Sequence, residues 1–279
     1  MKSIDTPAER SLLEEVVQRL VEAFDPDEIF FFGSRAREEA HEESDYDFMV
    51  VVDDEAPPET LERNRPYEVL SGVHLDFEKD VKVWTRSQFT RQLHLRASMP
   101  STVLREGRVL YLRPGATPLR GPDRWAEAGR VCEPEQPYDP VRVENTSTFV
   151  KLAGADLEAA ALLVSAGSEA LRPSSLFHSQ QAAEKIMKAF LFWHDHPAQR
   201  SHDLEKLRED CLNVDSTLEE PLGSVHLLKR GSLNGRYLLA RVSMAEAKEG
   251  LQIAQTVLEA VLERLPECVP RACVPAALE

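Results

Sequence analysis

Cysteine is scarce in this chain. The 279 residues hold four, at positions 132, 211, 268 and 273, too few and too scattered for a disulfide framework. Cys268 and Cys273 lie in a Pro-rich tail with no histidine beside them, so free thiols rather than a metal site are expected there. Basic excess is also lacking. The 33 Lys and Arg stand against 48 Asp and Glu, and the net charge of −15 is spread evenly along the chain. A sequence-independent nucleic-acid binder needs positive charge to neutralise phosphates, so nucleic acid is not the expected partner, a local basic patch aside. No apolar run approaches the ~18 residues of a membrane span. Met1-Lys2-Ser3 leads into a charged helix rather than a signal peptide. A soluble, cytoplasmic protein with no membrane partner is expected. No internal repeat is present.

What is there is an apolar fraction of 42%, ample for real cores, and length for two domains. Residues 8–24 read as an amphipathic helix, with Leu13, Val16, Val17, Leu20 and Phe24 on one face, stopped by Asp25-Pro26-Asp27. An apolar strand, Ile29 to Phe32, follows; apolar throughout, it suits a strand covered on both sides. Gly33 allows a turn with close backbone approach, and Ser34 is placed to cap a short helix through Ala40. Ten residues separate Ser34 from Asp45. Then come Asp45-Tyr46-Asp47 and a second apolar strand, Phe48 to Val52. Side chains alternate along a strand, so Asp45 and Asp47 share a face with Cα atoms about 7 Å apart.

Beyond this stretch the pattern predicts a loop over 53–60 and a helix over about 59–70. Residues 73–84 alternate again, as one bent strand or two short ones: Val73, Leu75 and Phe77 share one parity, Asp80, Lys82 and Trp84 the other. A helix over Thr85 to Met99 and a last short strand near 108–111 complete this half. Residues 113–142 hold Pro114, Pro118, Pro122, Pro134, Pro137 and Pro140 and read as a linker. From 143 on the pattern is helical: about 146–166, 173–194, 201–212 with Ser201 as a possible cap, 217–229, and 243–265. The last carries apolar positions 244, 247, 251, 254, 258, 261 and 265, a narrow seam against other helices. Residues 266–279 read as a disordered tail.

The chemistry open to the first half is that of a metal and a triphosphate. In-line attack on phosphorus is helped by divalent cations that activate the attacking oxygen and neutralise the leaving pyrophosphate. Such hard cations take carboxylate oxygens, and two carboxylates at i and i+2 of a strand supply a rigid pair. Gly33-Ser34 supplies backbone N–H groups and a hydroxyl for the phosphates. A third carboxylate on a neighbouring strand would complete the set and help to deprotonate the nucleophile. Arg35 and Arg37 stand where they could reach phosphate oxygens; the alternative is a solvated face paired with Glu38, Glu39, Glu42 and Glu43.

Phe32-Gly33-Ser34-Arg35-Ala36-Arg37 followed by Ser44-Asp45-Tyr46-Asp47 resembles the minimal nucleotidyltransferases of the DNA polymerase beta superfamily. The resemblance extends to Asp80-Val81-Lys82-Val83-Trp84-Thr85 and Arg105-Glu106-Gly107, over about residues 8 to 112. Many relatives have Gly where this chain has Glu38. The resemblance implies an α+β domain with a mixed sheet and flanking helices, two Mg²⁺ on Asp45, Asp47 and Asp80, triphosphate on Gly33 and Ser34, and transfer of a nucleoside monophosphate to a hydroxyl. Asp76 has the parity of Asp80 and is its competitor for the third position.

The second half resembles a HEPN domain, an all-α helical bundle often fused to such nucleotidyltransferases. The matching stretches are Phe177 through Ala189, Arg200-Ser201-His202-Asp203-Leu204, Arg236-Tyr237 and Ala245-Glu246-Ala247. Ribonuclease members carry Arg, four to six residues, then His on one helix. Only Arg172 and His178 fit that count here, and Pro173 between them argues against a shared face. The other class binds nucleotide or acceptor, often as a homodimer; the polar candidates are His178, Gln181, Lys185, Arg200 and His202. Tyr237 is a conceivable internal acceptor.

The expectation is thus four segments: 1–112 nucleotidyltransferase domain, 113–142 linker, 143–265 HEPN-like domain and 266–279 tail. The expected activity is a transferase moving AMP from ATP, or a nucleoside monophosphate from another NTP, to a hydroxyl on a protein or small molecule. Two rivals stand beside it: a single-chain toxin–antitoxin-like regulator with a ribonuclease half, and a nucleotide sensor without turnover.

Overall fold

The computed structural model describes residues 7–37, 45–73, 79–119, 138–197, 202–231 and 241–269. Asp76, Arg200, Ser201, Tyr237, Cys132 and Cys273 lie outside them, as do Glu38 through Glu43. The chain divides into two compact units, Met1–Glu133 and Pro134–Glu279.

The first unit is built on a four-stranded mixed sheet. Helix α1 spans Pro7–Phe24, β1 Glu28–Phe32, β2 Tyr46–Val52, α2 Arg65–Val69 and β3 Lys79–Thr85. Then come α3 at Arg86–Thr90, α4 at Met99–Glu106 and β4 at Arg108–Leu112. The strand order is β3-β2-β1-β4. β1 runs antiparallel to β2 and β4, and β2 runs parallel to β3. Every residue of β1 and β2 is buried, because helices cover both faces of the sheet centre. Ile29, Phe31, Phe48, Val50 and Val52 pack under Leu13, Val16, Leu20 and Phe24 of α1. Phe30, Phe32, Met49 and Val51 face the other way, against Phe89, Leu93, Val103 and Leu104.

Several expected elements are shorter or broken. Residues 34–37 form a turn rather than the start of a helix. The helix expected over 59–70 is a 3₁₀ turn at Pro58–Leu61 followed by α2. The helix expected over Thr85 to Met99 is two. Thr85 caps α3 through a capping box with Gln88. Ser98 caps α4, taking the Ser101 N–H on its hydroxyl, and Pro100 suits only a first turn. The Pro-rich segment starts later than expected. Arg113 N–H bonds the Asp27 carbonyl at 2.8 Å, Leu119 N–H bonds Glu28 Oε2 at 2.9 Å, and Leu119 is buried. Residues 113–119 therefore belong to the sheet unit.

The second unit is helical: α5 Pro140–Ser165, α6 Arg172–Trp193, α7 Leu204–Val214, short α8 Glu219–Leu222 and α9 Met244–Leu262. α5 starts at Pro140, three residues before the boundary expected from sequence. Its cap is Asp139, whose carboxylate accepts the N–H groups of Val141 and Arg142. Asp203 caps α7. The expected helix over 217–229 is α8 flanked by 3₁₀ turns at Ser216–Leu218 and Val225–Gly231. α6 runs through the middle, with α5, α7, α9 and the Val225–Gly231 turn around it. The seam of α9 is wider than the predicted stripe, since Val257, Ala260 and Leu262 are buried with Ala247, Ala254, Leu258 and Val261. α9 approaches α6 closely at Gly250, where a Cβ would stand 2.6 Å from Leu176 Cδ1.

Candidate active site

The site begins at the end of β1. Gly33 has φ of +85°, in the left-handed region, which a side chain disfavours. Space excludes one too: a Cβ on Gly33 would lie 2.0 Å from Asp47 Oδ2 and 3.0 Å from its Cγ. The Asp47 carboxylate thus stands directly against the glycine backbone. Strand register brings this about, since Phe32 is opposite Asp47 on β2, and Asp47 is opposite Asp80 on β3. Paired residues of adjacent strands project to the same face, so Asp47 and Asp80 are side-by-side neighbours on the Phe32 and Met49 face. Asp47 is 9% exposed. Asp45, just before β2, is exposed, and alternation gives it the side of Asp47. Ser34 is half-buried in the turn.

Asp80 does not stand open. Lys82, two residues on and on the same face, bonds Asp80 Oδ1 at 3.0 Å and Oδ2 at 2.9 Å. The Tyr67 hydroxyl also neighbours Asp80. Burial first, and then the Asp80 charge, push that phenol above its ordinary pKa. Lys79 turns elsewhere, to the carbonyls of Leu70 and Val73. Among the described residues no three His, Cys, Asp or Glu gather as a group able to hold a metal ion.

The two arginines part company. Arg35 is buried, its guanidinium 4.3 Å from the centre of the Tyr46 ring and 3.9 Å from Glu9 of α1. Tyr46 belongs to the α1 face, opposite Asp47. Arg37 reaches Glu106 at the end of α4 at 2.8 Å; α4 covers the Asp47 side of the sheet. A cavity of about 740 Å³ lies between α1 and β4, near Val17, Leu110 and Tyr111. It is at the far edge of the sheet from β3.

In the helical unit the polar candidates fall into two carboxylate-centred groups. Asp156 of α5 receives the His178 Nδ1–H at 2.8 Å and Lys185 Nζ, both from α6. Glu184 of α6 receives Gln180 Nε2 at 3.0 Å, Lys188 Nζ at 2.7 Å and His202 Nδ1 at 2.9 Å. Gln181 donates to Gln180. Burial pushes Glu184 up, but the His202 hydrogen bond and the Lys188 charge outweigh it and hold the carboxyl at about 2.

Residues 11–109 match the nucleotidyltransferase domain family, and residues 146–265 match the HEPN domain family. The chain joins a nucleotidyltransferase domain to a HEPN domain. No curated protein matches the sequence. A solved structure of a nucleotidyltransferase-like protein from Exiguobacterium sibiricum is similar at 11% identity and a TM-score of 0.42, over 89% of this chain and 75% of its own.

A nucleotidyltransferase domain implies an NTP substrate and, in general, a divalent metal. The donor set suits such a cation at Asp45 and Asp47, hard oxygen ligands at a strand end beside a side-chain-free turn. It suits a second one poorly, because Lys82 takes both oxygens of the third carboxylate.

Sequence reasoning passed over Lys82, although its parity with Asp80 was in plain view. It passed over Asp156 and Glu184 as well. For Glu184 the spacing of Gln180, Glu184 and Lys188, four apart on a helix, was the available signal. In the HEPN domain Arg172 and His178 do share α6, but six residues place them about 120° apart around its axis. His178 is turned to Asp156 instead.

Proposed function

We propose that the nucleotidyltransferase domain transfers a nucleoside monophosphate, AMP from ATP, to a hydroxyl of a protein or small molecule in a Mg²⁺-dependent reaction, with the HEPN domain binding the acceptor or the nucleotide. The observation that carries this is the cross-strand pair of Asp47 and Asp80, with the Asp47 carboxylate against Gly33, where an added Cβ would collide with it.

Each residue then has a task. Gly33 lets the phosphates approach the main chain, and the Ser34 hydroxyl donates to their oxygens. Arg37, on the carboxylate side and paired with Glu106, would turn its guanidinium to the same phosphates. Asp45 and Asp47 would hold the divalent cation, which when bound would offset the triphosphate charge and lower the pKa of the attacking hydroxyl. Asp80 accepts the proton of that hydroxyl as its oxygen attacks the α-phosphorus and the bond to pyrophosphate breaks.

The test is incubation of the whole chain with Mg²⁺, labelled ATP and cell extract, followed by mass spectrometry of protein and small molecules. A mass gain of one nucleotidyl group on an acceptor is expected. Labelling that persists undiminished in an Asp45→Ala/Asp47→Ala variant would sink the reading.

A further inference from the structure

We propose that Lys82 is the resident cation of the third carboxylate, so that the site works with one divalent ion on Asp45 and Asp47 and an ammonium where a second would stand. The inference rests on the nucleotidyltransfer reading of the site. It comes from a conflict on the strand itself. A third carboxylate beside Asp47 would supply the oxygens that complete a second cation site next to the first. Asp80 has the right place, opposite Asp47 in the β2–β3 register, but both its oxygens are bonded to one side chain, at 3.0 and 2.9 Å.

Lys82 is held there by geometry. Residues i and i+2 of a strand lie on one face about 7 Å apart at Cα, a span that a lysine side chain bridges easily. The neighbour that could compete does not: Lys79 is tied to the carbonyls of Leu70 and Val73. A half-exposed ion pair of this kind is weak by itself. The bound triphosphate changes that. It brings several negative charges next to an ammonium already tethered at the site, which raises the demand for positive charge there. A freely exchanging second cation has no such tether. With Lys82 in place, Asp80 keeps an oxygen lone pair for the acceptor proton, and the ammonium offsets the charge that gathers on the phosphates.

The experiment counts Mn²⁺ by electron paramagnetic resonance in the whole chain saturated with a non-hydrolysable α,β-methylene ATP. One Mn²⁺ per bound nucleotide is expected in the wild type and in Lys82→Arg. Lys82→Met should rise to two, and Lys82→Met/Asp80→Asn should return to one. Lys82→Gln serves if Lys82→Met does not fold. Two Mn²⁺ in the wild type, falling to one in Asp80→Asn, would overturn the proposal and leave the reading of the site intact. Nucleotide and Mn²⁺ binding unchanged in Asp45→Asn/Asp47→Asn would overturn the site itself.

Discussion

The two units use carboxylates in opposite ways. In the sheet unit Asp47 and Asp80 come from separate strands and meet because β2 and β3 are in register. They sit near the starts of their strands, and Asp47 lies against Gly33. In the helical unit each carboxylate ties two elements together. Asp156 joins α5 to His178 and Lys185 of α6, and Glu184 joins α6 to His202, just before α7. Asp80 is tied only within its own strand, to Lys82 two residues on, so that ion pair joins no second element of the fold. Carboxylates clamped by Lys and His between helices hold the fold. The comparison therefore predicts a split: substitutions in the first set should cost activity and spare stability, and those in the second should do the reverse.

The sharpest way to break it is Asp47→Asn. The amide keeps the shape and loses the charge. Nucleotidyl transfer to the labelled acceptor should fall on the order of 10³-fold, about 4 kcal/mol of transition-state stabilisation. The thermal midpoint should stay within a few degrees. A large fall in the midpoint would mean that Asp47 is a clamp like Glu184.

Gly33 and Gly72 sharpen the same point with one substitution in two places. Both have positive φ, +85° and +86°, so Ala strains the backbone at each by about 1 kcal/mol. At Gly72 nothing lies within 4 Å of the added Cβ, whereas at Gly33 it collides with the Asp47 carboxylate. Gly72→Ala should lower stability and leave transfer alone. Gly33→Ala should also displace Asp47, and a shift of that size at a reacting group costs on the order of 10²-fold in rate. Equal transfer rates in the two variants would detach Gly33 from the site.

How much of this was legible in the sequence follows from the range of each interaction. β1, β2 and the acidic pair were readable, because a run such as Phe30-Phe31-Phe32 and a two-residue alternation are local signals. The face that Asp47 takes was readable for the same reason. The pairing of Asp47 with Asp80 was available only through the family resemblance, since strand register is set by contacts distant in sequence. The orientation of Arg35 was missed because the residues after Ser34 form a turn, which carries the side chain to Tyr46 and Glu9. The break at Ser98 was missed because Gln92 through Arg96 keep helix-like polarity; the Ser98 hydroxyl reaching back to the Gln92 carbonyl at 2.8 Å is a tertiary feature. In the helical unit the histidines drew notice and their carboxylates did not. A buried Glu with Gln and Lys four residues either side reads, in one dimension, as an ordinary surface face.

Glu184→Gln tests the other side of the comparison. It leaves the largely buried Lys188 without its counter-charge and offers Lys188 and the His202 ring only a neutral amide oxygen, and breaking a buried pair from one side costs about 3 kcal/mol. The pH dependence has a definite sign. Glu184 is lowered from 4.5 to about 2 in the folded protein. Its contribution is therefore complete above pH 4.5 and is lost as pH falls through 2. In urea unfolding the gap between wild type and Glu184→Gln should be widest near neutral pH and narrow below pH 4.5. Nucleotide binding by the sheet unit should be unchanged. A gap that stays constant down to pH 2 would show that the charge of Glu184 is not what holds the helices.

The smallest expected effect uses two matched caps. Thr85 begins α3 and Ser243 begins α9, each through a capping box, with Gln88 in the first and Glu246 in the second. Removing the hydroxyl frees one backbone N–H at a helix start, a loss of about 1 kcal/mol. Thr85→Ala and Ser243→Ala should therefore shift their unfolding midpoints by similar amounts. They differ in what the cap adjoins. Thr85 is the last residue of β3, the strand that carries Asp80 and Lys82, and it is opposite Val52 in the register. Ser243 lies in the helical unit. If Asp47 and Asp80 depend on strand register as argued, Thr85→Ala should slow transfer a few-fold while Ser243→Ala leaves it alone. Equal transfer in the two variants would mean that the Asp47–Asp80 pairing is held by the strands themselves, with no help from the helix that follows β3.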